Sequence, residues 1–161
     1  MRRAASSALA SSSSITVVMV GMKSRSERCR PERSDLDFIP TITTVIDDDE
    51  ARALDAARRT IAFYSTVRTY KPLWEMHGFA DAAEAAGDAF RRGDLAAVPE
   101  QIPDEMVEAF TAAGPLDKVR ARVAEIAERG DGVFLTPATY FIPPEQIGEY
   151  QSRIIEAFGP T

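Results

Sequence analysis

Residues 114–141 read GPLDKVRARVAEIAERGDGVFLTPATYF. Pro115 predicts a helix start, because a first-turn residue has no helical partner for its N–H and proline has none to lose. Val119, Val123 and Ala127 then recur every fourth residue and make one apolar face, and Gly130 marks the stop. The run GVFLTP, residues 132–137, is short, apolar and bounded by turn residues, which predicts a strand buried on both faces. A helix that feeds a buried strand is one unit of α/β alternation, and such units come in series.

Upstream, LDFIPTITTVI, Leu36 to Ile46, is rich in β-branched residues and predicts another strand, with pairing interrupted at Pro40 or that side left as an edge. The acids Asp47, Asp48, Asp49 and Glu50 predict the start of a helix from Asp49 to about Val67, since carboxylates satisfy and stabilise its free N–H groups. Leu54, Ala57, Ile61 and Tyr64 form its apolar stripe. The acidic run has a metal-like look, but no further ligands accompany it, so the helix start is the reading and no metal is expected. Phe79, Ala83, Ala86 and Phe90 predict a helix from about Ala80 to Arg92, stopped by Gly93. Pro103 opens a third helix, with Met106 or Val107 and Phe110 facing inward, and PPEQIGEYQSRIIEAF is the last, striped by Ile147, Tyr150, Ile154 and Phe158. The order is strand, several helices, strand, helix: an α/β chain with about two parallel strands.

The sequence has 161 residues and a formal net charge of −6, which argues against a nucleic-acid binder. No apolar stretch is long enough to span a membrane. One cysteine, Cys29, and one histidine, His77, exclude an intramolecular disulfide and the usual Cys/His zinc sites, and they fit a reducing cytoplasm. Residues 1–33 differ in kind from residues 34–161. Residues 1–26 hold no acid, carry Arg2, Arg3, Lys23 and Arg25, and include the low-complexity AASSALASSSS. This segment admits three readings: a disordered tail, a secretory signal with an unusually short apolar run and a poor cleavage pattern, or a stretch outside the family sequence, from a wrong frame or start site.

Chemical motifs are mostly missing. Gly130-Asp131-Gly132 is the only G-x-G, and it lies between a helix and a strand, the reverse of a dinucleotide-binding turn. There is no phosphate-binding loop, nucleophile elbow or H-E-x-x-H. Two groups remain as candidates. Thr136 and Thr139 follow the last strand, where barrel residues face a ligand, although turn residues before Pro143-Pro144 are the plainer reading. Tyr64, Arg68, Tyr70, Trp74 and His77 put aromatics beside a cation and suit a planar ligand, although a packed helix end is the plainer reading. Tyr64, Tyr70, Trp74 and Thr136 are the candidate pocket residues; no catalytic or cofactor-binding residue is assigned.

The run SDLDFIPTITTVIDDDEARALDAARRTIAFYSTVRTY, followed by Gly78-Phe79, IPDEMVEAF, Gly114–Arg122 and Gly130–Leu135, resembles the late part of luciferase-like monooxygenases. The resemblance covers about Ser34 to Gly159, with the proline of the G-x-P-x-x-V-R-x-R pattern one place early. It implies the C-terminal portion of a flavin- or deazaflavin-dependent (β/α) barrel, the strands near Phe38 and Val133 being its seventh and eighth. It implies an oxidoreductase that uses coenzyme F420 or FMN on a small organic substrate. A whole barrel of this kind takes about 250 residues, so the reading is a truncated enzyme of doubtful activity alone. Unpaired strand edges and an uncovered barrel face would favour homo-oligomers or other association. The alternatives are a non-catalytic α/β binding or interaction module and a small α/β enzyme of another class.

Overall fold

The computed structural model describes residues 37–159. The readings of residues 1–33 fall outside the described residues. The β-branched run folds as strand β1, Thr41–Ile46, its last five residues fully buried. Pro40 precedes it, where its missing N–H costs no ladder bond. Helix α1, Glu50–Thr66, follows, with Asp49 as its N-cap: the Asp49 carboxylate accepts from Arg52 N–H. A 3-10 turn, Arg68–Tyr70, leads into α2, Lys71–Met76, and α3, Ala80–Arg91. The short helices α4, Ala97–Glu100, and α5, Asp104–Phe110, bring the chain to β2, Thr111–Gly114. Then come α6, Leu116–Ala127, β3, Phe134–Pro137, and α7, Pro144–Phe158.

The sheet is parallel throughout, in the order β2-β1-β3. Thr43 pairs with Thr111 on one side and with Thr136 on the other. The two strands expected from sequence are therefore neighbours. A third strand, β2, lies between them in the chain, so they are not consecutive strands. Its sequence, TAAG, has one β-branched residue and no bulky one, and it carries no strand signal of its own. It is a strand because β1 offers an edge and helices bury it.

From β1 the chain crosses to one side and from β2 it returns past β1. Parallel connections are right-handed, so reversing direction puts the connecting helices on opposite faces. The two cores agree. Val45 and Ala113 face α1 and α3–α5, packed with Ala57, Ile61, Met106 and Val107. Ile42, Ile46 and Ala112 face α6 and α7, packed with Val119, Val123 and Ile154. In a closed barrel consecutive strands are neighbours and helices cover only the outside. Here β3 lies beside β1, and α6 and α7 cover the second face. Parallel strands are stable when both faces are buried; β1 and β2 achieve this, whereas β3, expected from its apolar run to be buried on both faces, lies at the sheet's edge with Phe134 exposed and its other residues half-buried.

Helix α6 ends three residues before Gly130. That glycine serves close approach: a Cβ there would lie 2.6 Å from Phe38 O and 2.7 Å from Pro40 Cδ. The turn before β3 is thereby pressed against the entry to β1.

Candidate functional site

Ligands of open parallel sheets bind outside the carboxyl ends of the strands, where strand order reverses. Here that point lies between β1 and β3. Asp47, the residue after β1, is 2% exposed. Its Oδ1 accepts from Asp49 N–H at 3.0 Å, and its Oδ2 lies 2.5 Å from Arg52 Nη2. Arg153 of α7 donates to Ile46 O at 3.1 Å and pairs with Glu149 at 2.7 Å. Arg52 also reaches Glu149, at 3.5 Å. Tyr150 is wholly buried beside these charges, and its hydroxyl has no partner among the described residues. Burial pushes the Tyr150 phenol up; the charge of Arg52 pulls the other way and that of Asp47 adds to the rise. The hydrogen bond to Asp47 holds Arg52 above its ordinary value. Two carboxylates meet two guanidiniums, so the cluster is self-neutralised. It ties α7 to the end of β1 and leaves one phenol unsatisfied.

In sequence Asp47 was one of four acids at a helix start. Only Asp49 caps α1. Asp47 is turned inward to the arginines, a role that needed Arg153, more than a hundred positions away, to be seen.

The aromatic candidates lie about 20 Å along α1 from this cluster, at 1.5 Å of rise per residue. Tyr64 and Tyr70 meet edge to face at 5.3 Å, and Tyr70 and Trp74 lie 6.4 Å apart. The sequence reading missed Tyr140, which stacks on Phe63 at 3.7 Å and meets Tyr64 at 5.5 Å. Tyr140 comes from the loop after β3, which is fastened to α1: Thr139 N–H donates to Thr60 Oγ1 at 3.1 Å, and Arg59 donates to Phe141 O. Phe110, expected to face inward from its helix, receives Trp74 and His77 edge-on, each at 5.0 Å. Burial, and then the neighbouring Tyr140 and Tyr70, push the Tyr64 phenol up to about 12. Thr136 does not join this group. It sits on β3 and donates its hydroxyl to Ile42 O at 3.2 Å, so its polar atom is used within the sheet. Thr139 likewise turns its hydroxyl to Pro137 O.

A cleft of about 290 Å³ opens beside the aromatic group, between the end of α1, α2 and α3. Trp74 lines it, as do Arg68, Lys71 and Arg91. Among the described residues no cluster of His, Cys, Asp and Glu is set to hold a metal, and no helix is long and apolar enough to cross a membrane.

The sequence model of the luciferase-like monooxygenases matches residues 9–132, more than half of the chain. The protein belongs to the luciferase-like monooxygenase family. It is 27% identical over 132 residues to a 5,10-methylenetetrahydromethanopterin reductase of Archaeoglobus fulgidus, covering 79% of this chain and 37% of that one. An uncharacterised Mycobacterium tuberculosis protein is 32% identical over 99 residues, 58% of this chain and 29% of its own. The solved coenzyme F420 dependent tetrahydromethanopterin reductase of Methanopyrus kandleri superposes with a TM-score of 0.59 at 25% identity, over 73% of this chain and 33% of that one. The chain thus spans about a third of the length of the relatives it matches. The family is one of oxidoreductases, and coenzyme F420 is the cofactor named for the solved Methanopyrus kandleri reductase.

The described residues do not fit a whole flavin or deazaflavin. The aromatic rings close on one another and leave no slot for a tricyclic ring. The cluster after β1 is filled by its own ion pairs. The cleft lies just under the ~300–1,000 Å³ of pockets that enclose drug-sized ligands.

Proposed function

We propose that this protein is an oxidoreductase that uses coenzyme F420, rather than FMN, to reduce or oxidise a small organic substrate. The observation that carries the proposal is the double likeness, in sequence to a 5,10-methylenetetrahydromethanopterin reductase and in fold to a coenzyme F420 dependent reductase. Hydride transfer is the chemistry the coenzyme supplies when bound. The residues described here supply one wall and its supports rather than the seat of the ring. The ion-paired end of β1 holds α7 in place, and the packed group of Tyr64, Tyr70 and Tyr140 anchors the loop after β3. The rest of the site is expected from outside the described residues. A cytoplasmic location belongs to the proposal and rests on the single cysteine.

The test is titration of the full chain with F420 and, in parallel, with FMN, followed by cofactor fluorescence. Turnover of reduced F420 with cyclic imine and aldehyde acceptors comes next. Saturable binding of F420 in preference to FMN supports the proposal. Binding of neither, with no F420-dependent turnover, overturns it and favours a binding module without catalysis.

A further inference from the structure

β3 is the open side of the sheet. β2 is buried along its whole length, whereas Phe134 on β3 is exposed and the rest of that strand half-buried. Phe134 N–H donates inward to Pro40 O at 2.8 Å. Successive residues of a parallel strand turn their N–H and C=O to opposite sides, so Leu135 offers both to the outer edge. Exposed Phe38 and Ile39 stand beside that edge at the entry to β1. Phe38 is bonded to Asp131, and a Cβ on Gly132 would lie 4.0 Å from Ile39 Cγ1. An unpaired edge with an apolar margin is a ready seat for an extended segment.

The uncompensated charge at this place has one sign. Asp37, Glu128 and Asp131 are exposed and make no ion pair among the described residues, while Arg129 is paired with Glu125. Residues 1–36 hold seven Lys or Arg against three Asp or Glu, a net charge of +4 in a chain of −6, which leaves −10 on residues 37–161. The segment outside the described residues is therefore basic and the fold it joins is acidic. It joins at Asp37, next to the two exposed apolar side chains of the edge. Within it, Ile15–Val20 reads ITVVMV, an uncharged run with five β-branched residues in six. The family match begins at residue 9 and takes in this run. Sixteen residues, 21–36, lie between the run and the described chain, more than the dozen or so that even a parallel pairing needs.

We propose that Ile15–Val20 of the same chain lies along the outer edge of β3 as an added strand, with Lys23, Arg25, Arg28, Arg30 and Arg33 drawn to Asp37, Glu128 and Asp131. Main-chain bonds to Leu135 hold the segment, and its β-branched side chains suit the pleated margin. Opposite charge selects this surface over others. The same segment exchanged between two copies would join them, so an edge covered in this way also carries association. The inference is independent of the coenzyme reading and stands or falls without it.

The test is amide hydrogen exchange of the full chain, read residue by residue by NMR at low protein concentration. The Leu135 amide is expected to exchange at least tenfold more slowly in the parent than in Val18→Asp, which spoils the added strand, and than in Phe134→Lys, which spoils its seat. Raising the salt to 1 M should speed it at least threefold, because the charges involved are exposed. The amide of buried Ala57 in α1, slow and unchanged in every variant, reports that the fold is intact. A Leu135 amide as fast in the parent as in Val18→Asp would overturn the assignment. So would protection that survives both substitutions, which would give the edge to another segment, or protection that appears only as protein concentration rises, which would give it to a second copy.

Discussion

Phe38 and Asp131 exchange two hydrogen bonds across 93 positions of sequence: Phe38 N–H donates to Asp131 Oδ2, and Asp131 N–H donates to Phe38 O, each at 2.8 Å. The entry to β1 and the turn before β3 are thereby clasped at the open end of the sheet. Gly130 makes the clasp possible, because any side chain would strike the Phe38 carbonyl.

Gly130→Ala is expected to lose about 1–3 kcal/mol, the usual cost of forcing an extra carbon into a packed place. Asp131→Ala is expected to lose about 1 kcal/mol, one hydrogen bond at an exposed site. Urea unfolding of both variants checks this. A Gly130→Ala midpoint equal to that of the parent would mean that the clasp does not hold the strands.

Asp47→Asn keeps the size of the side chain and removes its charge. Arg52 and Arg153 stay partly in water, so neither becomes a buried unpaired cation. The loss should be about 1–3 kcal/mol. Because Asp47 itself is buried, raising the salt to 1 M should erase little of that difference. A difference that vanishes in high salt would show the pair to be an ordinary surface one.

Alkaline pH should unfold the aromatic end of α1. Tyr64 titrates at about 12 when folded and near 10 when unfolded. Its folded pKa is raised, so its contribution is complete below pH ~10 and is lost as pH rises toward 12. Tyr70 and Tyr150 shift in the same direction through burial. Denaturation midpoints measured from pH 8 to 12 should fall in the upper half of that range. Tyr64→Phe should make the fall shallower, and an identical profile would assign the loss to other groups.

The outer edges of β2 and β3 are unpaired among the described residues, and Phe134 on β3 is 52% exposed, near exposed Phe38 and Ile39. Unpaired edges with apolar side chains invite association. Phe134→Lys is expected to shift the chain toward smaller species in sizing runs and to lower its tendency to precipitate. An unchanged elution profile would place any association elsewhere.

The helix starts were legible because their chemistry is local. Asp49 before α1, Pro103 before α5 and Pro143-Pro144 at α7 each act within one turn of the chain. β1 was legible because TITTVI suits a pleated, buried surface whatever its partner. Tyr64, Tyr70 and Trp74 were legible as a group because they are close in sequence. Tyr140 and Arg153 were not, since their contacts join segments that local patterns do not connect.

The sequence by itself determined the α/β class, the amphipathic helices and the family pattern, all of which follow from short-range periodicity and capping. Only the tertiary structure decided that TAAG is a strand, that β3 lies beside β1, and that Asp47 turns inward to two arginines. Those outcomes depend on which edges and faces are left to be covered once the helices pack, and burial is a property of the whole assembly rather than of any one segment.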